Sequence, residues 1–167
     1  KFVFLKAKSN AVNVIGIVYY NQGDYNNALD YYLKSLKVSE EIQDTLRILT
    51  ALTNIGAVYT DNPMNHGHAL EYGLRALALS EAIQENDAIA TASINIGEIY
   101  LARDESEKAL KYFNRSLEVM HGNDGVIFTM VSISRVHALD KEYGKALEIL
   151  NEALAMADSL DAKPNIV

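Results

Sequence analysis

Four segments of the chain each carry an alanine-leucine pair followed by apolar or small residues at the spacing of one helical face. In the first segment this stripe is Ala28, Leu29, Tyr32, Ser35 and Leu36, at offsets of 0, 1, 4, 7 and 8. The later segments repeat the pair at Ala69-Leu70, and repeat the whole stripe at Ala109, Leu110, Phe113, Ser116 and Leu117 and at Ala146, Leu147, Leu150, Ala153 and Leu154. Because such offsets describe one side of an α-helix, the pattern predicts an amphipathic helix in each segment.

A preceding helix in the first three segments is indicated by a recurring hexamer, VIGIVY at 14–19, NIGAVY at 54–59 and NIGEIY at 95–100. The glycines Gly16, Gly56 and Gly97 are 40 and 41 residues apart, and Ser134 takes the glycine position in the fourth segment. Breaker-rich stretches, NQGDY (21–25) and DNPMNHG (61–67), predict turns between paired helices. A near-constant period of this length indicates a stacked array of helix pairs instead of one closed core.

The glycine inside each hexamer needs a physical reason, because a mid-helix glycine costs about 1 kcal/mol relative to alanine. We expect it to face the alanine of the next helix, so that two helix backbones approach closely. Gly56→Leu or Ala69→Leu should then overpack the contact and cost about 1–3 kcal/mol or more. Asp44, Asp87 and Asp124 stand ten or twelve residues before the glycine-equivalent positions and are expected to be the N-caps of the first helices.

Charge and composition narrow the functional classes. The formal net charge of −7 disfavours nucleic acid and anionic membrane surfaces as partners, because phosphate binding needs clustered lysine and arginine. The apolar runs fall short of the roughly 18 residues that a membrane span needs. The chain has no cysteine, which excludes disulfides and thiolate chemistry. We expect a cytoplasmic protein and keep the periplasm as the alternative, since a lack of cysteine is compatible with both.

Candidate catalytic and metal-binding residues are few. His66 and His68 fall in a predicted surface turn with Asp61 as the only acidic residue shortly before them, whereas a zinc site needs three or four ligands. The acidic run at 104–107 coincides with a predicted helix start, where negative charge suits the helix dipole. Phosphate-loop and nucleophile-elbow motifs are absent from the sequence. We therefore expect no catalytic residues, no metal and no cofactor.

The repeated positions resemble the tetratricopeptide repeat, whose signature is W-x2-L-G-x2-Y followed by A-x3-F. The matching residues are Val12/Ile15/Gly16/Tyr19, Leu52/Ile55/Gly56/Tyr59 and Ser93/Ile96/Gly97/Tyr100, then Ala28/Tyr32, Ala69/Gly73, Ala109/Phe113 and Ala146/Leu150. The tryptophan and the closing proline are absent, and the period near 40 is similar to that of the long-repeat subclass of kinesin light chains and bacterial signalling proteins. The resemblance implies an all-α, right-handed superhelix of about four helix pairs that binds proteins or peptides.

The resemblance also implies which residues line a concave groove, because the family places them at fixed positions of each first helix. Carried onto this sequence, these positions include Asn10, Asn13, Ile17, Tyr20, Thr50, Thr53, Asn54, Thr91, Asn95, Glu98 and Arg135. In long-repeat relatives, asparagines at the position of Asn54 and Asn95 hold the main chain of an extended peptide. A carboxamide suits this role because it has both a donor and an acceptor. The lysine or arginine pattern of chaperone-tail receptors is missing.

The expected units span about 4–43, 44–86, 87–123 and 124–160, with Asp161 capping a fifth unit begun at 161–167. The open ends of such an array expose apolar surface. We therefore expect a fragment of a longer regulatory or signalling protein, with homodimer formation through these ends as a further expectation. Self-association with an empty groove is the alternative to peptide binding, and an enzyme is a third hypothesis that no group of residues supports.

Overall fold

The computed structural model describes residues 2–61, 66–120 and 122–161, which form eight α-helices and no strand. The helices are α1 (Phe2–Asn21), α2 (Tyr25–Glu41), α3 (Thr45–Asp61), α4 (His66–Ala82), α5 (Asn86–Leu101), α6 (Ser106–Val119), α7 (Asn123–Leu139) and α8 (Tyr143–Asp161). Each helix packs most closely against its neighbours in the chain. The expected all-α solenoid of about four helix pairs is therefore confirmed.

Short turns connect the helices, and each described turn contains one residue in the left-handed conformation. These residues are Gly23, Gln43, Gln84, Asp104 and Lys141, with φ between 52° and 75°. The residue directly after each of these donates its backbone N–H to the carbonyl of the residue five positions before itself. This bond satisfies a carbonyl group that the end of the helix leaves free. Each turn therefore reverses the chain within three or four residues.

The aspartates expected at helix N-caps occupy two kinds of position. Asp44 precedes α3 and accepts the backbone N–H of Arg47 at 3.3 Å, which confirms it as a cap. Asp87 and Asp124 instead lie inside the first turns of α5 and α7. The three-residue turn after α4 puts Glu85 at the cap position, two residues before Asp87.

The residue expected to cap a fifth unit is also placed differently. Asp161 is the last residue of α8, because this helix continues for 19 residues. The remainder of the expected fifth unit, 162–167, lies outside the described residues. The same is true of 62–65 in the predicted turn between α3 and α4, where helix α4 already begins at His66.

The hydrophobic core lies between the two helices of each pair and between adjacent pairs. Tyr32 of α2 and Phe113 of α6, both on the predicted stripe, are at most 2% exposed. The stripe of α8 differs, since Leu147 and Leu154 are 61% and 58% exposed. Helix α8 packs only against α7 in the described chain, so one side of its stripe has no covering helix.

The first helices of the pairs lie closer together than the second helices. Helix α3 contacts α1 and α5, and α5 contacts α7, whereas no Cα atoms of α2, α4, α6 and α8 come within 8 Å of one another among the described residues. Ion pairs bridge successive second helices: Arg75 of α4 pairs with Glu40 of α2, and Arg115 of α6 pairs with Glu81 of α4. The stack is therefore curved, with α1, α3, α5 and α7 on its concave side.

The mid-helix glycines make room for aromatic rings. A Cβ atom on Gly16 would lie 2.6 Å from the ring of Tyr32, and one on Gly97 would lie 2.5 Å from the ring of Phe113. In both pairs the ring stands on the second helix, four residues after the alanine of the predicted contact. The atoms nearest to where each glycine would carry a methyl group therefore belong to the aromatic ring, and not to the alanine that was expected there.

Gly56 has a different environment, because Gly73 stands where the ring would be. Ile96 of α5 fills that space and lies 2.9 Å from where a Cβ atom of Gly73 would be. A Cβ atom on Gly56 would meet the carboxamide of Asn95 at 3.3 Å and no atom of Ala69 within 4 Å. In the second pair, the side chain nearest to the Cβ position of each glycine therefore belongs to the neighbouring unit, and not to the expected alanine.

Candidate functional site

The concave side forms a groove along α1, α3, α5 and α7, and all predicted groove residues lie on these four helices. Helix α1 carries Asn10, Asn13, Ile17 and Tyr20; α3 carries Thr50, Thr53 and Asn54; α5 carries Thr91, Asn95 and Glu98; and α7 carries Arg135. Ile17 is exposed and has apolar neighbours at Val14 and Val18 on its own helix. The remaining positions fall into two clusters, one between α1 and α5 and the other between α5 and α7.

Hydrogen bonds connect α1 to α3 along the first part of the groove. The bonds are Asn54 Nδ2 to Asn13 Oδ1 at 2.9 Å, Arg47 Nε to Asn10 Oδ1 at 3.0 Å, and the Tyr20 hydroxyl to the Asp61 carboxylate. Burial, together with the bond to Asp61, raises the pKa of Tyr20 above its ordinary value, so this hydroxyl remains a donor across the neutral range. These links fix the spacing of the first two units.

The asparagines retain hydrogen-bonding capacity that faces the groove. A carboxamide offers two donors and an acceptor oxygen, and the Asn13–Asn54 bond leaves the Asn54 oxygen and the Asn13 nitrogen available. Asn95 occupies the equivalent position on α5, is half-buried, and forms no hydrogen bond with the described part of the chain. The groove therefore contains carboxamide donors and acceptors on three successive units.

A cavity of about 320 Å³ adjoins Asn54 between α3 and α5. It is lined by Leu49, Thr50, Thr53, Asn54, Glu85, Asp87, Ala88 and Thr91. The hydroxyls of Thr50 and Thr91 donate to carbonyl groups of their own helices, at 2.9 and 2.8 Å, so their oxygens are left to accept. The exposed carboxylates of Glu85 and Asp87 make this part of the groove negative.

The second cluster is centred on the Glu98 carboxylate, whose side chain is 13% exposed. It accepts the Ser132 hydroxyl at 2.6 Å and Arg135 Nη1 at 3.0 Å. Arg135 is 57% exposed and keeps further N–H donors free of this bond. A cavity of about 400 Å³ next to it is lined by Thr60, Glu98, Leu101, Ala102, Asp104, Arg135 and Leu139.

Sequence reasoning anticipated Glu98 and Arg135 in the groove but not the other charged residues around it. Arg47 and Glu85 lie at the beginnings of helices, where a charge is ordinarily explained by capping or by the helix dipole. The pairing of Glu98 with Arg135 was also missed, because the two residues are 37 positions apart on different helices. The repeat gives the one signal that they are neighbours, because Glu98 and Arg135 occupy the same position in successive units.

The described residues contain no group of three or more histidines and acidic residues placed to hold a metal ion. His66 and His68 belong to the first turn of α4 instead of a surface turn, and His68 lies 3.7 Å from the Glu71 carboxylate. None of the described helices combines the length and the apolar character that crossing a membrane requires.

Comparison with known proteins agrees with this architecture. The family model described as tetratricopeptide repeat matches residues 9–82, 64–120 and 87–159. These overlapping matches cover helices from every pair of the solenoid. No curated protein sequence matches the chain at a significant level.

Solved structures with the same architecture include a BtubC (BKLC) structure from P. vanneervenii, with a TM-score of 0.83 and 17% identity over 95% of this chain and 67% of that chain. The apo form of RapI matches with a TM-score of 0.83 and 22% identity over 93% of this chain and 57% of that chain. A Rap protein complexed with competence and sporulation factor matches with a TM-score of 0.83 and 19% identity over 93% of this chain and 44% of that chain. The chain thus spans about half the length of the two Rap structures, and at these identities the likeness shows the fold alone.

Proposed function

Because the chain belongs to the tetratricopeptide repeat family, we propose that its concave groove binds an extended peptide segment of a partner protein. The observation that carries this function is the row of carboxamides on Asn13, Asn54 and Asn95, which have donors and acceptors not used within the described chain. An extended peptide offers alternating N–H and C=O groups along its main chain. Carboxamides on successive units match that pattern.

The charges near the asparagines favour a peptide with a basic side chain. Glu85 and Asp87 are exposed beside the cavity between α3 and α5. In the next cavity, Glu98 neutralises Arg135, and Asp104 adds a further carboxylate. Complementary charge across an interface mainly sets specificity and the rate of encounter. The groove should therefore bind peptides that contain lysine or arginine in preference to peptides without them.

The structural neighbours support a binding role without identifying the ligand. One Rap structure with the same fold is a complex with competence and sporulation factor, so this architecture accommodates a bound partner. The expectation that the module belongs to a larger regulatory or signalling protein stays a prediction.

A displayed library of random linear peptides tests the proposed function. Peptides selected on the wild-type chain should bind the Asn54→Ala/Asn95→Ala variant about tenfold or more weakly, because each lost hydrogen bond contributes about 0.5–1.5 kcal/mol. Fluorescence anisotropy with the labelled peptides gives the two dissociation constants.

Asn26→Ala/Asn114→Ala is the matched control, since both asparagines are exposed on second helices. This variant should bind the selected peptides as the wild type does. Selection of no peptide, or equal binding to the groove variant and the wild type, would show that the groove is not the binding surface.

A further inference from the structure

One position of the concave groove changes from polar to apolar on α7. Phe128 lies at the repeat position that holds Asn10 in α1, Thr50 in α3 and Thr91 in α5, and it is 54% exposed. Val131 follows on the same face of α7 and is 38% exposed. A ligand in the groove therefore meets a polar side chain at this position of the first three units and an aromatic ring in the fourth.

The exposure of Phe128 does not follow from its place in the last unit. Thr91 is exposed at the equivalent position of α5, although α7 contacts that helix. Thr50 is exposed in the same way on α3, although α5 contacts α3. The position thus stays open where a following first helix is present. Phe128 therefore belongs to the surface of the groove and not to a junction between units.

The surroundings of Phe128 distinguish it from a phenylalanine exposed singly on a surface, which is common in folded proteins. Ile94 of α5 is half-buried and occupies the position equivalent to Val131 in the preceding unit. The same position holds Asn13 in α1 and Thr53 in α3. Ile94, Phe128 and Val131 therefore form an apolar patch that these two groove positions show on α5 and α7 and not on α1 and α3.

Free carboxylates lie beside the apolar patch on the side where α5 and α7 begin. Asp124 lies one turn before the patch on α7, and Asp87 occupies the equivalent position on α5, two residues after Glu85. All three are exposed, and none is paired with a cation in the described part of the chain. On the other side of the patch, Arg135 is paired with Glu98. A peptide on the patch therefore faces net negative charge, which a basic residue complements.

The separation of the acidic and apolar positions sets a spacing in the ligand. The carboxamides recur on successive units, so a peptide that they hold crosses the helices. Asp87 and Phe128 are one unit and about one helical turn apart, which corresponds to roughly 10–12 Å between packed helices. Because an extended chain advances about 3.3 Å per residue, this distance spans about three or four residues of the peptide.

We propose that Phe128 determines specificity by contacting a large apolar side chain of the bound peptide, and that this peptide carries a lysine or arginine about three or four residues away. The inference rests on the proposed binding of an extended peptide and adds the class of peptide that is bound. An aliphatic or aromatic side chain gains affinity by covering the exposed ring, whereas a small polar side chain removes little apolar surface from water there.

A set of synthetic peptides measures this preference directly. Each peptide has about ten residues of serine, glycine and threonine with one arginine and one leucine, and the separation of these two is varied in both directions. Fluorescence anisotropy gives the dissociation constants. The wild type should bind most tightly at a separation of about three or four residues, and about fivefold or more weakly at other separations or without leucine.

Phe128→Thr tests the contact, because it installs the residue found at the equivalent positions of α3 and α5. This variant should bind the best peptide about five- to tenfold more weakly than the wild type, and the peptide without leucine equally well. Leu74→Thr is the matched control, since Leu74 is 40% exposed on the second helix α4. It should bind both peptides as the wild type does.

A transfer of the ring to the preceding unit tests the spacing. In Phe128→Thr/Thr91→Phe the ring stands one helical turn from Asp87 on the same helix. The preferred separation of arginine and leucine should therefore fall to about two residues. Circular dichroism checks that each variant is folded, and Phe128→Gln, with its higher helix propensity, replaces Phe128→Thr if that variant unfolds.

Two results would overturn this inference and leave the proposed function intact. The first is binding that Asn54→Ala/Asn95→Ala weakens but that does not depend on the separation of arginine and leucine. The second is a Phe128→Thr variant that binds the best peptide as the wild type does. If no peptide of the set binds, or if Asn54→Ala/Asn95→Ala binds as tightly as the wild type, the proposed function fails and this inference fails with it.

Discussion

At the scale of single residues, the glycines show how one residue type performs different tasks in equivalent positions. Gly97 gives its space to the ring of Phe113, whose side chain is completely buried. Gly56 has no ring to accommodate, and the nearest side-chain atom to its Cβ position belongs to the flexible carboxamide of Asn95. Packing therefore requires glycine at this repeat position in the third unit, whereas the second unit has room for a larger residue there.

Alanine substitution should separate the two cases. Gly97→Ala should lower the free energy of unfolding by about 1–3 kcal/mol, because the new methyl group would overlap the Phe113 ring. Gly56→Ala should leave it unchanged or raise it by up to about 1 kcal/mol, because alanine favours the helix and Asn95 can shift. Urea denaturation of both variants measures the difference, and equal losses at the two sites would contradict the packing described here.

At the scale of helices, Asp44 connects the start of α3 to α1. Its carboxylate caps α3 and pairs with Arg47 at 2.6 Å and with Lys6 of α1 at 3.1 Å. Burial alone would raise the pKa of Asp44, but hydrogen bonds from Lys6 and Arg47 outweigh burial and lower it below its ordinary value. The charged form is therefore the one that stabilises the junction between the first two pairs.

This pKa shift predicts a pH dependence of stability. Because the folded pKa is lowered, the stabilisation by Asp44 is fully present above the unfolded pKa of about 3.9 and is lost as pH falls through the folded pKa. Asp44→Ala should cost about 1 kcal/mol at neutral pH through the lost cap, and Asp44→Asn, which retains a capping group, should cost less.

Thermal unfolding between neutral pH and pH 2–3 checks this dependence, with about 3.9 as the reference value. The difference in stability between the wild type and Asp44→Asn should shrink toward zero at the acidic end. A difference that stays constant with pH would mean that the ion pairs of Asp44 contribute nothing.

At the scale of the whole molecule, stability should be graded along the solenoid. Helices α2 to α7 pack against their neighbours on both sides in the chain, whereas among the described residues α8 packs against α7 alone, and α1 packs against α2 and less closely against α3. In a linear array the stability of a unit depends on its interfaces with adjacent units. The outer helices therefore contribute least buried surface and most exposed apolar side chains.

Amide hydrogen exchange should reveal this gradient in dilute solution. Peptides from α1 and α8 should exchange faster than peptides from α3 and α5, because local opening exposes less surface at the outer helices. Equal protection of all helices at low concentration would show that the array unfolds as one cooperative unit.

The sequence by itself determined the repeat and the helix pairs. These properties follow from local periodicity, because apolar and small residues at helical spacing define the buried side of each helix wherever it packs. It also identified Asn54 and Asn95 as equivalent positions, and the structure puts both on the concave side.

Only the tertiary structure decided what those residues touch. The ring over Gly16, the bond between Asn13 and Asn54, and the contact of Glu98 with Arg135 join residues 16 to 41 positions apart. Such contacts depend on the rotation and distance between stacked helices, which no local pattern encodes.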